Sequence, residues 1–151
     1  MQIPATIVQG HRVASGLNGN PHFPGGTLKM QTQAFRERGL DLTQFHPGTL
    51  NVSIAPYQYR VKKPKFTFSR VTWHPVDPAE DFSFFNVDVL YRDHPITSGL
   101  IYYPHPETKP THFQPPNMLE LLLPTIQGIE YGQEIILIVS DDQIQFDPPI
   151  A

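Results

Sequence analysis

The chain contains no cysteine in 151 residues, which excludes disulfides, thiolate nucleophiles and cysteine-ligated zinc or iron–sulfur centres and leaves the redox compartment open. No apolar run approaches the roughly 18 residues that a membrane-spanning helix requires. The first residues, MQIPATIVQG, have neither the basic start nor the long apolar stretch of a signal peptide. A soluble, cytoplasmic protein with no membrane partner is the expectation. Charge is sparse, at 17% of residues with a net charge of −3. Bulk electrostatics therefore supplies no attraction to nucleic acid, and small molecules are the expected partners. Neither a GxxxxGK[ST] loop nor a GxGxxG turn after a strand is present, so a nucleotide must bind outside those two frameworks. Oligomeric state is left open by these observations.

What is abundant is chain punctuation. Seventeen prolines and ten glycines, with few Ala or Lys, break the sequence too often for long helices and favour short strands joined by turns. At this length a single domain, residues 1–151, buries about two thirds of its unfolded surface without a staple. Strands are expected at Ile3 to Gln9, Arg12 to Ser15, Leu50 to Ile54, Phe66 to Thr72, Phe84 to Tyr91, Ile96 to Tyr103, Asn117 to Leu123 and Glu134 to Ser140. Their regular spacing points to a closed sheet. One short helix is expected over about Met30 to Arg38, ended by Gly39. Val76 to Asp81 and Pro104 to Pro116 read as loops, and Asp147 to Ala151 as an extended tail.

The most informative stretch is His46 to Ile54, HPGTLNVSI. Pro47 and Gly48 suit the centre of a type II turn. Beyond it Leu50, Val52 and Ile54 face one way, into a core, while Thr49, Asn51 and Ser53 face the other. A hydroxyl and an amide oxygen roughly 7 Å apart on one strand face can share a hard cation such as Mg²⁺, with phosphate and water completing its shell. Neither group is charged, so that charge is expected from the ligand. The same pattern also suits the polar outer face of an ordinary barrel strand.

A second cluster lies in YPHPETKPTHFQPPNMLE, residues 103–120. Its prolines hold the backbone extended, so Thr111, His112 and Glu120 are presented with little ordering cost. Glu120 sits among Leu119, Leu121, Leu122 and Leu123, where a carboxylate suits either a ligand donor or the solvated side of an edge strand. His105, Glu107 and His112 could instead converge as a transition-metal site of a hydrolase. In YRVKKPKF, Arg60 and Lys62 share a strand face, positioned to reach a triphosphate or to keep an edge strand from pairing with another chain. Ser15 and the glycine-rich run from Gly16 to Gly26 can expose N–H groups to a phosphate.

Together these segments resemble the archaeal-type CTP-dependent riboflavin kinases, small cradle-loop β-barrels. The resemblance runs in order through GHRVASGLNG, FRERGL, HPGTLNVSI, THF, MLELLLP and YGQEIILIV. It implies a six-stranded barrel in which Thr49 and Asn51 hold Mg²⁺. The nucleotide is implied to lie against Ser15, Gly16, Leu17, Asn18, Gly19 and Asn20, continuing to His22 and Phe23. On the far side it meets the stretch after the Glu-bearing strand, Thr125 and Ile126 followed by Gln127 and Gly128. Thr111 and Glu120 are implied to contact the flavin, with Glu120 as a candidate general base. The implied activity is Mg²⁺-dependent transfer of a γ-phosphoryl group from CTP to riboflavin, giving FMN. The chain reads GLNGN where the family has GLGEG, and its TIQGIEYG segment is short and lacks Arg or Lys. These departures make a non-catalytic flavin- or nucleotide-binding barrel the alternative expectation.

Overall fold

The computed structural model describes residues 1–9, 26–109 and 114–150. It is mostly β, with nine strands and one helix among the described residues: β1 (Gln2–Ile7), α1 (Thr27–Glu37), β2 (Leu50–Ser53), β3 (Gln58–Val61), β4 (Phe66–Val71), β5 (Glu80–Tyr91), β6 (His94–Pro104), β7 (Met118–Leu122), β8 (Glu134–Ile138) and β9 (Ile144–Asp147). Six of them close a barrel in the order β5-β6-β7-β2-β1-β8, with β8 returning to β5. Every pairing is antiparallel. Closure leaves these six strands no unpaired edge. No helix among the described residues is long and apolar enough to cross a membrane.

Closure depends on the length of β5. Its first half pairs with β4 and its second half with β8, while the β5–β6 register slips between Val87 and Val89. Such a bulge bends a strand and increases its twist, which lets β5 leave one neighbour and reach another. Beside the slip, Ser98 takes φ 64° and its N–H donates to Asp88 Oδ1 at 3.2 Å.

Strand alternation sorts the apolar side chains into two cores. Ile3, Ile7, Val52, Phe85, Leu121 and Leu137, with their neighbours, fill the barrel, and Ile144 and Phe146 of β9 join them. A second cluster lies on the outer face, where Phe82, Phe84, Leu100, Tyr102 and Leu122 meet Leu28 and Phe35 of α1. Leu28, Gln31 and Phe35 recur at helical spacing along one buried stripe of α1. The helix ends as expected at Gly39, φ 96°, with Leu40 N donating to Phe35 O and Gly39 N to Arg36 O, each at 3.0 Å. That pair of bonds is a Schellman closure, and it folds Leu40 back onto the same cluster as Phe35. The helix flanks the barrel and begins at Thr27, three positions before the expected Met30.

Other differences from the expected elements are local. The β3–β9 ribbon was not foreseen; Arg60 of β3 grips Asp147 of β9 through Nε–Oδ2 at 2.7 Å and Nη2–Oδ1 at 3.3 Å. Asp147 is therefore the end of a strand, and only the residues after it form a tail. β5 begins at Glu80, inside the stretch read as a loop. The turn before β2 is not type II: Gly48 is absent from the positive-φ glycines, and its N–H donates to His46 O at 2.8 Å. A three-residue turn of this kind places Pro47 at its centre, where a fixed φ near −65° suits the backbone.

Candidate functional site

The alternation expected in LNVSI holds. Val52 and Ile54 enter the barrel core and Leu50 packs against it, so Thr49 and Asn51 lie on the outer side. Register then brings the two sequence clusters together: Asn51 pairs with Glu120 across β2 and β7, and Glu120 pairs with Tyr102 across β7 and β6. Directly opposed residues share a face, and Thr49 reaches over to donate its hydroxyl to Glu120 Oε1 at 3.1 Å. Thr49, Asn51 and Glu120 thus form one oxygen-rich patch. It is sheltered rather than solvated, with Asn51 9% and Glu120 8% exposed. Leu119 and Leu121 fill the barrel while Leu122 and Tyr102 lie under the helix, so Glu120 faces the outer layer and not the barrel interior.

Three polar groups surround the patch. Gln114 Nε2 donates to Asn51 Oδ1 at 3.0 Å. Tyr102 donates its hydroxyl to Gln31 Oε1 of α1 at 2.6 Å, which ties the helix to the sheet beside Glu120. Burial raises the Tyr102 hydroxyl pKa well above its ordinary value, and the carboxylates of Glu120 and Glu80 add to the rise. Burial likewise raises Tyr59, helped by Tyr103 and Glu120. Both phenols are therefore held as donors beside a carboxylate.

An open cleft adjoins the patch. Tyr102↔Glu120 is the last rung between β6 and β7; beyond it β6 continues alone against β5 and the two strands diverge. The gap holds a cavity of about 50 Å³ and is lined by Tyr59, Tyr103, Met118, Lys109, Gln114 and Glu120, among others. Its walls are mainly aromatic and apolar, with Lys109, Gln114 and Glu120 as polar members.

Of the other expected site residues, Thr125 lies beside the turn before β2, where its Oγ1 is 3.3 Å from His46 Nδ1 and Leu123 O accepts His46 N at 2.8 Å. Ile126 packs against the barrel core, Gln127 is exposed, and Gly128 O accepts the Tyr91 hydroxyl at 3.1 Å. Ser15 to Phe23, Thr111 and His112 lie outside the described residues. Two described residues touch Asn51 from elsewhere in the chain: Val8 N donates to Asn51 O at 2.9 Å, and Gln114 Nε2 holds the Asn51 side chain.

The donor set suits a hard cation. Thr49 Oγ1, Asn51 Oδ1 and the Glu120 carboxylate are all oxygens, the ligands Mg²⁺ prefers. Glu120, which accepts the Thr49 hydroxyl, places one carboxylate beside these two neutral oxygens. Among the described residues no three His, Asp or Glu side chains gather as a metal centre. His105 and Glu107 do meet, at 3.1 Å, but His105 Nε2 lies 2.6 Å from Ser83 Oγ, so both ring nitrogens are engaged within the protein. Arg60 and Lys62 serve the ribbon edge, Lys62 Nζ donating to Asp141 O at 2.8 Å.

Sequence reasoning missed Tyr59, Tyr102, Lys109 and Gln114. It also missed Glu80, which is 3% exposed and accepts the Trp73 indole N–H at 2.9 Å. Only Glu80 carries a signal in the sequence, a carboxylate at the start of a segment rich in aromatics.

No family model matches the chain, and no curated protein matches its sequence.

Proposed function

We propose that this protein is a phosphotransferase that moves the γ-phosphoryl group of a nucleoside triphosphate, CTP, to the 5′-hydroxyl of riboflavin in the cytoplasm, giving FMN. The observation that carries the reading is the convergence of Thr49, Asn51 and Glu120 on one sheltered face beside an aromatic cleft. Mg²⁺ held on Thr49 Oγ1 and Asn51 Oδ1 supplies neutralisation of the phosphate charge. Glu120 accepts a hydrogen bond from the acceptor, at its hydroxyl or a ring N–H, and Tyr59 and Tyr103 give that ring an apolar wall. Thr49, bonded to Glu120, fixes the carboxylate so that orientation carries most of the catalysis. The stretches bearing Ser15 to Phe23 and Thr125 to Gly128 complete the nucleotide site, and Thr111 assists Glu120 on the flavin.

One observation favours a second reading, a non-catalytic binding barrel. Asn51 Oδ1 already accepts Gln114 Nε2 at 3.0 Å, and a permanent amide pair there would leave the cation one oxygen short. Calorimetry separates the two. The kinase reading predicts CTP binding that requires Mg²⁺ and is lost in Asn51→Leu. Equal affinity with Mg²⁺ and with EDTA, unchanged by that substitution, refutes it.

A further inference from the structure

The proposed reaction leaves a phosphate on the flavin, and among the described residues the cleft presents one lysine to receive it. Lys109 lines the cleft together with Glu120. Its root is held firmly: Lys109 N and Thr108 N both donate to His105 O, at 3.0 and 3.1 Å, and His105 N donates to Asp81 O at 2.9 Å. Thr108 Oγ1 accepts Asp81 N at 2.9 Å and donates to His105 O at 3.2 Å. The His105 ring bridges Ser83 and Glu107. Ser83 is 1% exposed, so this Ser–His–Glu chain cannot present a nucleophile to a substrate; what it does is fasten the 105–109 turn to β5.

The head of this lysine is less committed than its root. Lys109 is half-buried and makes no ion pair within 4.0 Å among the described residues. Its charge acts on Glu80, whose carboxylate accepts the Trp73 indole. A half-buried lysine lining a cleft, its backbone held in a hydrogen-bonded turn, loses little freedom on gaining an anionic partner. The other charged group on the cleft wall, Glu120, has the opposite sign and repels phosphate. The two charged side chains therefore suit opposite features of one ligand.

We propose that Lys109 binds the phosphate monoester of a ligand whose uncharged polar end is read by Glu120, so that the cleft holds the phosphorylated flavin more tightly than the free one. This rests on the proposed function. The test is fluorescence titration of the intact protein, Lys109→Met and Lys109→Arg with riboflavin, FMN and CTP. Lys109→Met is expected to weaken FMN binding about ten- to a hundred-fold, the loss of one charge-assisted bond, while riboflavin affinity changes less than about twofold. Lys109→Arg keeps most of the preference for FMN, and raised ionic strength shrinks that preference in the wild type and in Lys109→Arg but not in Lys109→Met. Equal weakening of riboflavin and FMN makes the lysine structural and overturns the inference. So does a loss confined to CTP, or a wild type that binds both flavins alike. A wild type that binds neither flavin refutes the proposed function and the inference with it.

Discussion

The bond between Thr49 and Glu120 is the joint on which the site turns, and a double-mutant cycle measures it. Thr49→Val removes the hydroxyl with almost no change of volume, so no cavity term enters. The lost bond is 3.1 Å long and runs to a carboxylate that is 8% exposed. Hydrogen bonds to charged acceptors contribute about 1.5–3 kcal/mol, and the sheltered setting places this one in that range. Glu120→Gln keeps shape and an acceptor but removes the charge, leaving a neutral bond of about 1 kcal/mol. The two changes should therefore couple by about 0.5–2 kcal/mol, Thr49→Val costing less when Glu120 is already Gln. Urea unfolding of the four proteins gives the coupling, provided the m-values agree. Additivity within about 0.3 kcal/mol would show that the bond owes nothing to the charge of Glu120 and would refute a charge-assisted joint.

Two further predictions concern what surrounds that joint. Phe35 is 0% exposed and sits edge-on to Phe82 and Phe84, with ring centroids at 5.0 and 5.2 Å; Phe35→Ala should cost about 3–5 kcal/mol in the same unfolding assay and release α1 from the barrel. Burial raises the Glu80 carboxyl above its ordinary value, opposed by the Trp73 N–H and by Lys109. A folded pKa above the unfolded one means that the native state holds its proton more tightly, so this group's contribution to stability falls as pH rises from the unfolded value through the folded one. Glu80→Gln, which can still accept the indole N–H, should thus raise the melting temperature at neutral pH and lose that advantage in acid; a gain that is the same at both would contradict the assignment of burial as the cause.

Much of this architecture is legible in the chain because it is local. Alternation in LNVSI sends Val52 and Ile54 inward and Thr49 outward, and Gly39 marks the helix end because the Schellman closure needs positive φ there. What alternation cannot reveal is what covers a face. Glu120 is 71 residues from Thr49 and α1 arrives from another part of the chain, so a side read as potentially solvated is in fact sheltered. The Gly48 turn escaped because a Pro-Gly pair fits more than one turn, and the carbonyl of His46 decided between them. The β3–β9 ribbon escaped for a different reason: its strands are four residues each, one of them basic, and a long-range Arg60–Asp147 pair joins them. Lys109 and Gln114 gain meaning only where β6 and β7 diverge, a feature of register rather than of sequence.

The central claim is that the Thr49–Asn51–Glu120 face performs phosphoryl transfer to a flavin. Its most direct test is to incubate the purified protein with riboflavin, Mg²⁺ and each nucleoside triphosphate in turn and to separate the products by chromatography. The account predicts FMN with CTP, dependent on Mg²⁺ and reduced at least about a hundredfold in Glu120→Gln, the order of effect expected from a positioned acid–base group. FMN formed at an undiminished rate by Glu120→Gln, or no FMN with any donor from a folded wild-type protein, would contradict it.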